Sequence, residues 1–382
     1  MGSEGLAIAR VAGIEIRVSL AWVLLLALVT LLAEQLAMAA APQLPTVVHW
    51  VVGAVSSVAV LLSVVAHELA HALTARRLGV DPGSVILGFV GGVSPLDVQG
   101  RTPRDEMVIA ISGPLLSLVI AVLLVPIGLG LLEGDDALAA VAAGLLVVGV
   151  LSGAFAVLSV LPGLPLDGGR FVRAMAWQRT GDPRRATRLA AVLGRATGWV
   201  VAGIGMIVAL TASPSTGVML LSLGWFVTTG ASTVERRLAI ELALDGVRVA
   251  DVMETDVPQV SPNLTLDVFA DRFMPDGLAT SLPVVADGHV VGVIGLDRVR
   301  RVGRRARATT RAEDIMARPP AAPLLDGDVL LWDALDDLRR AGTDGLAVVA
   351  DDAGEGLRGM LTRRGATAAI RERLARTSVG RA

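Results

Sequence analysis

The stretch VVAHELAHAL, residues 64–73, decides how the rest of the chain is read. His67 and His71 stand four apart, so on a helix they share one face, and Glu68 follows His67 directly. Two imidazoles at that spacing hold one metal ion, usually Zn²⁺, with the adjacent carboxylate placed as general base for a water. The surrounding helix, from about residue 46 to 78, is otherwise almost entirely apolar. Ionisable groups at membrane depth cost roughly 2.5–3.5 kcal/mol each on insertion scales, so three in one span imply a compensating ligand. The stretch therefore predicts a zinc site inside a membrane.

Composition points the same way. With 382 residues, 53% of them hydrophobic, and a mean hydropathy of +0.65, the chain is too apolar for a soluble protein of its length. It reads as an integral membrane protein of two or more domains, with the lipid bilayer as its first partner. A net charge of -2 offers nothing to nucleic acid, and the absence of cysteine excludes disulfides, a thiolate nucleophile and thiolate-ligated zinc. All 34 basic residues are arginine. The first 17 residues lack the short apolar core and small-residue cleavage site of a removable signal peptide.

Hydropathy marks six spans, at about residues 18–38, 47–73, 107–132, 138–161, 198–211 and 217–234. The arginines lie before the first, between the second and third, between the fourth and fifth, and after the sixth. On the other side stand Glu34, near the end of the first span, then Glu133, Asp135 and Asp136, then only SPST. By the positive-inside rule both termini are cytoplasmic, in the cytoplasmic membrane of a prokaryotic cell.

Arg76 and Arg77 mark the cytoplasmic end of the second span and put His71 close to that face. His49 is 18 residues of helix from His67, ~27 Å, and His289 lies in the polar tail. A third ligand must therefore be a carboxylate. Asp167, in LSVLPGLPLDGGRFVRA after span four, emerges at the same level, where Pro162 and Pro165 stop the helix and Gly163, Gly168 and Gly169 permit an unwound backbone. Asp97, in the loop after span two, is the alternative ligand. The segment at residues 84–98, SVILGFVGGVSPLDV, is apolar but too short and broken to span; it reads as a re-entrant loop or β-hairpin whose edge can take up an extended peptide as a further strand, or as a connector that shields the site. Thr102, Pro103 and Asp105 then form a helix start.

HELAH in one span followed by LPGLPLDGGR after a later one resembles the site-2 protease family of intramembrane zinc metalloproteases. The resemblance covers roughly residues 1–237, including Gly91-Gly92-Val93 and Ser112-Gly113-Pro114. It implies one zinc held by His67, His71 and Asp167, Glu68 as general base, and cleavage of the transmembrane segment of a single-span partner protein near the cytoplasmic face. Where the family often has Asn before LPxxPLDG, this chain has Ser159.

After Arg237 short β-rich runs alternate with helical ones, and an internal repeat appears. Val249-Ala-Asp-Val-Met253 recurs as Ala-Glu-Asp-Ile-Met316, and Leu282-Pro-Val-Val-Ala286 as Leu346-Ala-Val-Val-Ala350, each about 63–64 residues on. The tandem is similar to a pair of CBS modules, at residues 245–305 and 306–372, an α/β unit that often binds adenosine nucleotides. The family's Thr/Ser-x-x-Asp, whose Asp grips ribose, is Gly295 to Arg298 in the first repeat and Thr362 to Gly365 in the second. Both carboxylates are missing, which favours a structural role or homodimerisation through the modules over nucleotide binding. The arginines from Arg300 to Arg307 read as a solvated linker between the modules, or as a site for lipid headgroups or phosphate.

The expected fold is thus an α-helical polytopic membrane protein of about six transmembrane helices, followed by a soluble α/β CBS pair. The expected function is intramembrane zinc endopeptidase, regulated or assembled through that pair. A CBS-gated transporter would share the span count but should show inverted repeats and a midplane site. A non-catalytic membrane scaffold would be expected to lack part of the ligand set or the base.

Overall fold

The computed structural model describes residues 6–11, 13–18, 21–82, 85–87, 100–273, 281–319, 321–340, 345–349 and 356–379. Two compact units divide the chain, residues 1–238 and 239–382. The first opens with a hairpin that the hydropathy reading passed over. β1 (Leu6–Val11) pairs antiparallel with β2 (Ile14–Val18), and β2 pairs in parallel with β3 (Val85–Leu87). Ile14 and Ile16 are buried, and they pack with Trp22 and Ala72. The signal was the alternation of Ile14, Ile16 and Val18 after Gly13, whose φ of 82° suits a tight turn. Of the segment at 84–98, only Val85–Leu87 are described, as β3; Gly91, Gly92, Val93 and Asp97 lie outside the described residues.

Six helices are long and apolar enough to cross a membrane, and they make this a multi-pass membrane protein. They are α1 (Ala21–Ala40), α2 (Thr46–Arg77), α3 (Pro103–Leu131), α4 (Asp136–Val160), α6 (Pro183–Thr211) and α7 (Pro214–Ala243), with the shorter α5 (Asp167–Thr180) between α4 and α6. Apolar side chains such as Leu24, Val55, Leu123, Trp199 and Leu210 are exposed, the surface a bilayer covers. Helix α3 begins as its sequence specifies: the Thr102 hydroxyl accepts from the Asp105 amide, and the Asp105 carboxylate accepts from the Thr102 amide. Helix α6 starts 15 residues before the hydropathic span at 198, capped by the Asp182 carboxylate. Its first half carries Arg184, Arg185 and Arg188, which hid it from a hydropathy window.

The main correction concerns the glycines after span four. The LPGLP run is irregular, but Gly168 and Gly169 are not unwound; they form the first turn of α5, immediately after Asp167. An added Cβ on Gly168 would lie 2.1 Å from the Val160 carbonyl oxygen, and one on Gly169 would lie 2.0 Å from the Gly163 carbonyl carbon. Glycine is needed there for close backbone approach.

In the second unit, β4 (Ser281–Ala286) and β5 (His289–Gly295) form a hairpin through Asp287-Gly288, both with positive φ. A three-stranded sheet contains β6 (Leu325–Asp326), β7 (Gly345–Val349) and β8 (Leu357–Thr362). The register shifts at Val284/Val285 and again at Val348/Val349, so the sequence repeat is a structural one. The leading segments are exchanged. Glu254 trades backbone hydrogen bonds with Met360 of the second repeat, while Ala317 trades them with Val293 of the first. Two apolar cores follow the exchange, Val249 packing with Leu331 and Leu361, and Ala312 with Phe269 and Ile294.

Gly169→Ala is expected to lower the thermal stability of the detergent-solubilised chain by on the order of 1–3 kcal/mol, the usual cost of overpacking. Gly203→Ala, at a site on α6 with open space around the new methyl, should leave the melting temperature unchanged or slightly higher.

Candidate metal centre

Helix α2 carries His67, Glu68 and His71, all buried. His71 lies six residues and His67 ten residues from Arg77, ~9 and ~15 Å along the axis from the charged end of the helix. The first residue of α5 brings Asp167 to the same place. His67 Nε2 is 3.2 Å from His71 Nε2 and 3.2 Å from Asp167 Oδ2, and His71 Nε2 is 3.3 Å from Asp167 Oδ1. These three are the group, among the described residues, whose donor atoms converge closely enough to share a metal ion.

The remaining ring nitrogens fix which atoms face the centre. His71 Nδ1 lies 2.7 Å from the Ile109 carbonyl oxygen, which can only accept, so the proton of a neutral His71 ring sits on Nδ1 and Nε2 keeps its lone pair. His67 Nδ1 is 2.9 Å from Ser117 Oγ, a hydroxyl able to accept an Nδ1 proton, and Nε2 is the ring nitrogen that faces inward. With the ring protons on Nδ1, neither Nε2 has a proton to donate to the other or to the carboxylate, and the three would stand as lone-pair donors just over 3 Å apart. A tetrahedral ion with bonds of 2.0–2.1 Å holds its ligands about 3.3–3.4 Å apart, and the donors, 3.2–3.3 Å from one another, stand close to that spacing. The residues present fit zinc.

The walls of the site are tight. An added Cβ on Gly113 would lie 2.3 Å from His71 Nε2 and 2.7 Å from His67 Nε2, so the helix can run past the imidazoles only as glycine. On α4 the Phe155 ring tilts against His67 with centroids 4.7 Å apart. Ser159, which stands where Asn was expected, is buried in the last turn of α4. His49 is far from the centre and near Ala41, whose carbonyl is 3.0 Å from its Nε2, and His289 is exposed in the second unit. The partners Ile109 and Ser117 were missed in the sequence; a trace of them existed in the buried positions 109, 113 and 117, which follow the three-to-four spacing of one helix face.

The profile of peptidase family M50 matches residues 55–144, and that of the CBS domain matches residues 249–304 and 312–372. Rip3 of Mycobacterium tuberculosis, which carries a provisional zinc metalloprotease name, is 34% identical over 316 residues, 82% of this chain and 79% of its own. The chain belongs to the site-2 protease family. A protein of Synechocystis with a similarly provisional zinc metalloprotease name is 28% identical over 339 residues, covering 88% of each chain. Among solved structures, the site-2 protease of Methanocaldococcus jannaschii matches at 25% identity over 60% of this chain and 94% of its own, with a TM-score of 0.39. Site-2 proteases are zinc metalloproteases, so the transporter reading falls away and the C-terminal unit is a CBS pair attached to a peptidase. The M50 match contains His67, Glu68 and His71 but ends before Asp167, whose place beside them rests on the fold.

Gly113→Ala is expected to reduce bound zinc from about one per chain to near zero without loss of helical content, read by elemental analysis and circular dichroism. Ser117→Ala should weaken zinc about 10- to 100-fold, as removal of a histidine's outer partner usually does.

Proposed function

We propose that this chain is an intramembrane zinc endopeptidase that cuts transmembrane segments of single-span partner proteins close to the cytoplasmic face of a prokaryotic membrane. The observation that carries this reading is the convergence of His67, His71 and Asp167 at 3.2–3.3 Å, buried in a bundle of apolar helices beside a buried Glu68. Zinc bound there supplies a Lewis acid and lowers the pKa of an attached water to about 7. Glu68 takes the proton of the attacking water and passes it to the leaving amine nitrogen. Asp167 and the two imidazoles hold the metal, with Ile109 and Ser117 keeping each ring turned so that Nε2 faces inward. Both termini lie in the cytoplasm, because the arginine-bearing connections then share one side.

The CBS pair regulates the peptidase or assembles it as a homodimer. Thr362, which begins the second repeat's nucleotide-type motif, donates its hydroxyl to the Glu254 carboxylate at 2.7 Å and accepts from the Gly365 amide. That internal use of the hydroxyl, with glycine where a ribose-binding Asp would stand, favours the assembly role over adenosine nucleotide binding.

Cleavage of a panel of single-span substrates in liposomes tests the reading, with wild type and Glu68→Gln compared at equal zinc content. The Gln variant is expected to lose about 10²- to 10⁴-fold in rate while keeping its metal; equal rates would remove Glu68 from the chemistry. Chelation should abolish cleavage and added zinc restore it. The chain has no cysteine, so single cysteines can report topology. A membrane-impermeant thiol reagent on intact cells is expected to label Ser215→Cys and to spare Arg179→Cys; the opposite pattern would invert the membrane orientation.

A further inference from the structure

One face of α3 presents four buried positions at helical spacing: Glu106, Ile109, Gly113 and Ser117. The last three touch the imidazoles of the metal centre. Glu106 touches neither imidazole, and it has no exposed surface. Its carboxylate accepts from the Gly100 amide at 2.6 Å, from Arg170 Nε at 3.0 Å and from Arg173 at 2.8 Å. Both arginines sit on α5, one and two turns beyond Asp167. We propose that Glu106 is a positioning residue of the metal centre: by clamping Arg170 and Arg173 it sets the depth and rotation of α5, and so delivers Asp167 to the two imidazoles that the same face of α3 orients.

Several features make a clamp necessary. The turn that carries Asp167 follows the irregular LPGLP run, and its N-cap, Leu166, has no side chain able to hold the first turn. Gly168 and Gly169 let the backbone pack closely but contribute no side chain to fix its rotation. A guanidinium is planar with a fixed fork of donors, so two of them on one carboxylate constrain direction as well as distance. The cluster is also buried, which makes loss of any one charge costly to the others. Glu106 thus acts on Asp167 through α5, while Ile109, Gly113 and Ser117 act on the histidines directly. One helix face orients all three ligands.

This inference rests on the zinc reading above, and its test separates the two. Full-length wild type, Glu106→Gln, Arg173→Gln and the double variant are purified in detergent. Zinc affinity is measured by competition with a chromophoric chelator, and the visible spectrum is recorded after replacement with Co²⁺, whose absorption reports coordination geometry. Each single variant is expected to remain folded, to bind zinc 10- to 100-fold more weakly, and to give a weaker, shifted cobalt spectrum. The double variant should lose little more than the singles, because the two residues act as a unit. Should Glu106→Gln fail to fold, Glu106→Asp keeps the charge with a shorter reach, and it is expected to fold with an altered cobalt spectrum and weaker zinc. Folded variants with wild-type affinity and spectrum would overturn the positioning role alone. Wild type that binds no zinc would overturn both readings.

Discussion

Within a bilayer no water is at hand to satisfy a polar side chain, so each buried charge or hydrogen-bonding group must find its partner in the protein. In this chain that demand falls on the space between α2, α3 and α5. Two imidazoles and a carboxylate face one another at 3.2–3.3 Å, and each imidazole is held from behind by a group of α3. A turn nearer the start of α3, Glu106 meets two arginines and a backbone amide. The remaining helices can be understood as the apolar frame that keeps this polar seam in register.

Close backbone approach is what makes the seam possible. Gly113 lets α3 pass the imidazoles, Gly168 and Gly169 let α5 start against the end of α4, and Gly194 of α6 leaves room for the Leu164 carbonyl, whose oxygen would lie 2.0 Å from an added Cβ. Each of these positions would collide with backbone or with a ligand if it carried a side chain. The prolines that break α4 and the glycines that follow are therefore parts of one device, which turns the chain sharply while still presenting Asp167 from the first residue of a regular helix.

The CBS unit obeys a different logic, that of a repeat whose halves complete each other. Each leading segment pairs with the opposite repeat's sheet, so the two modules share their cores and neither core is complete within its own stretch of sequence. The Glu254–Thr362 bond is one product of this exchange, and it ties the start of the unit to its last strand.

Much of the site was legible because its spacing is local: His67, Glu68 and His71 lie within two turns of one helix, and six apolar runs announce six membrane helices whatever their packing. Asp167 was legible by elimination and resemblance, since few residues capable of holding zinc exist in the membrane part of the chain. The N-terminal hairpin, the polar first half of α6 and helix α5 were not, because short alternations, arginines and paired glycines resemble connectors when read alone. Nor was the pairing of Glu106 with Arg170 and Arg173, of Ser117 with His67, or of the Ile109 carbonyl with His71. The sequence by itself determined the membrane class, the repeat and the candidate donors, since each depends on composition or on neighbours within a turn or two. Only the tertiary structure decided which face of α3 meets those donors and how α5 is held, because contacts between residues 38 to 100 positions apart are set by how helices pack.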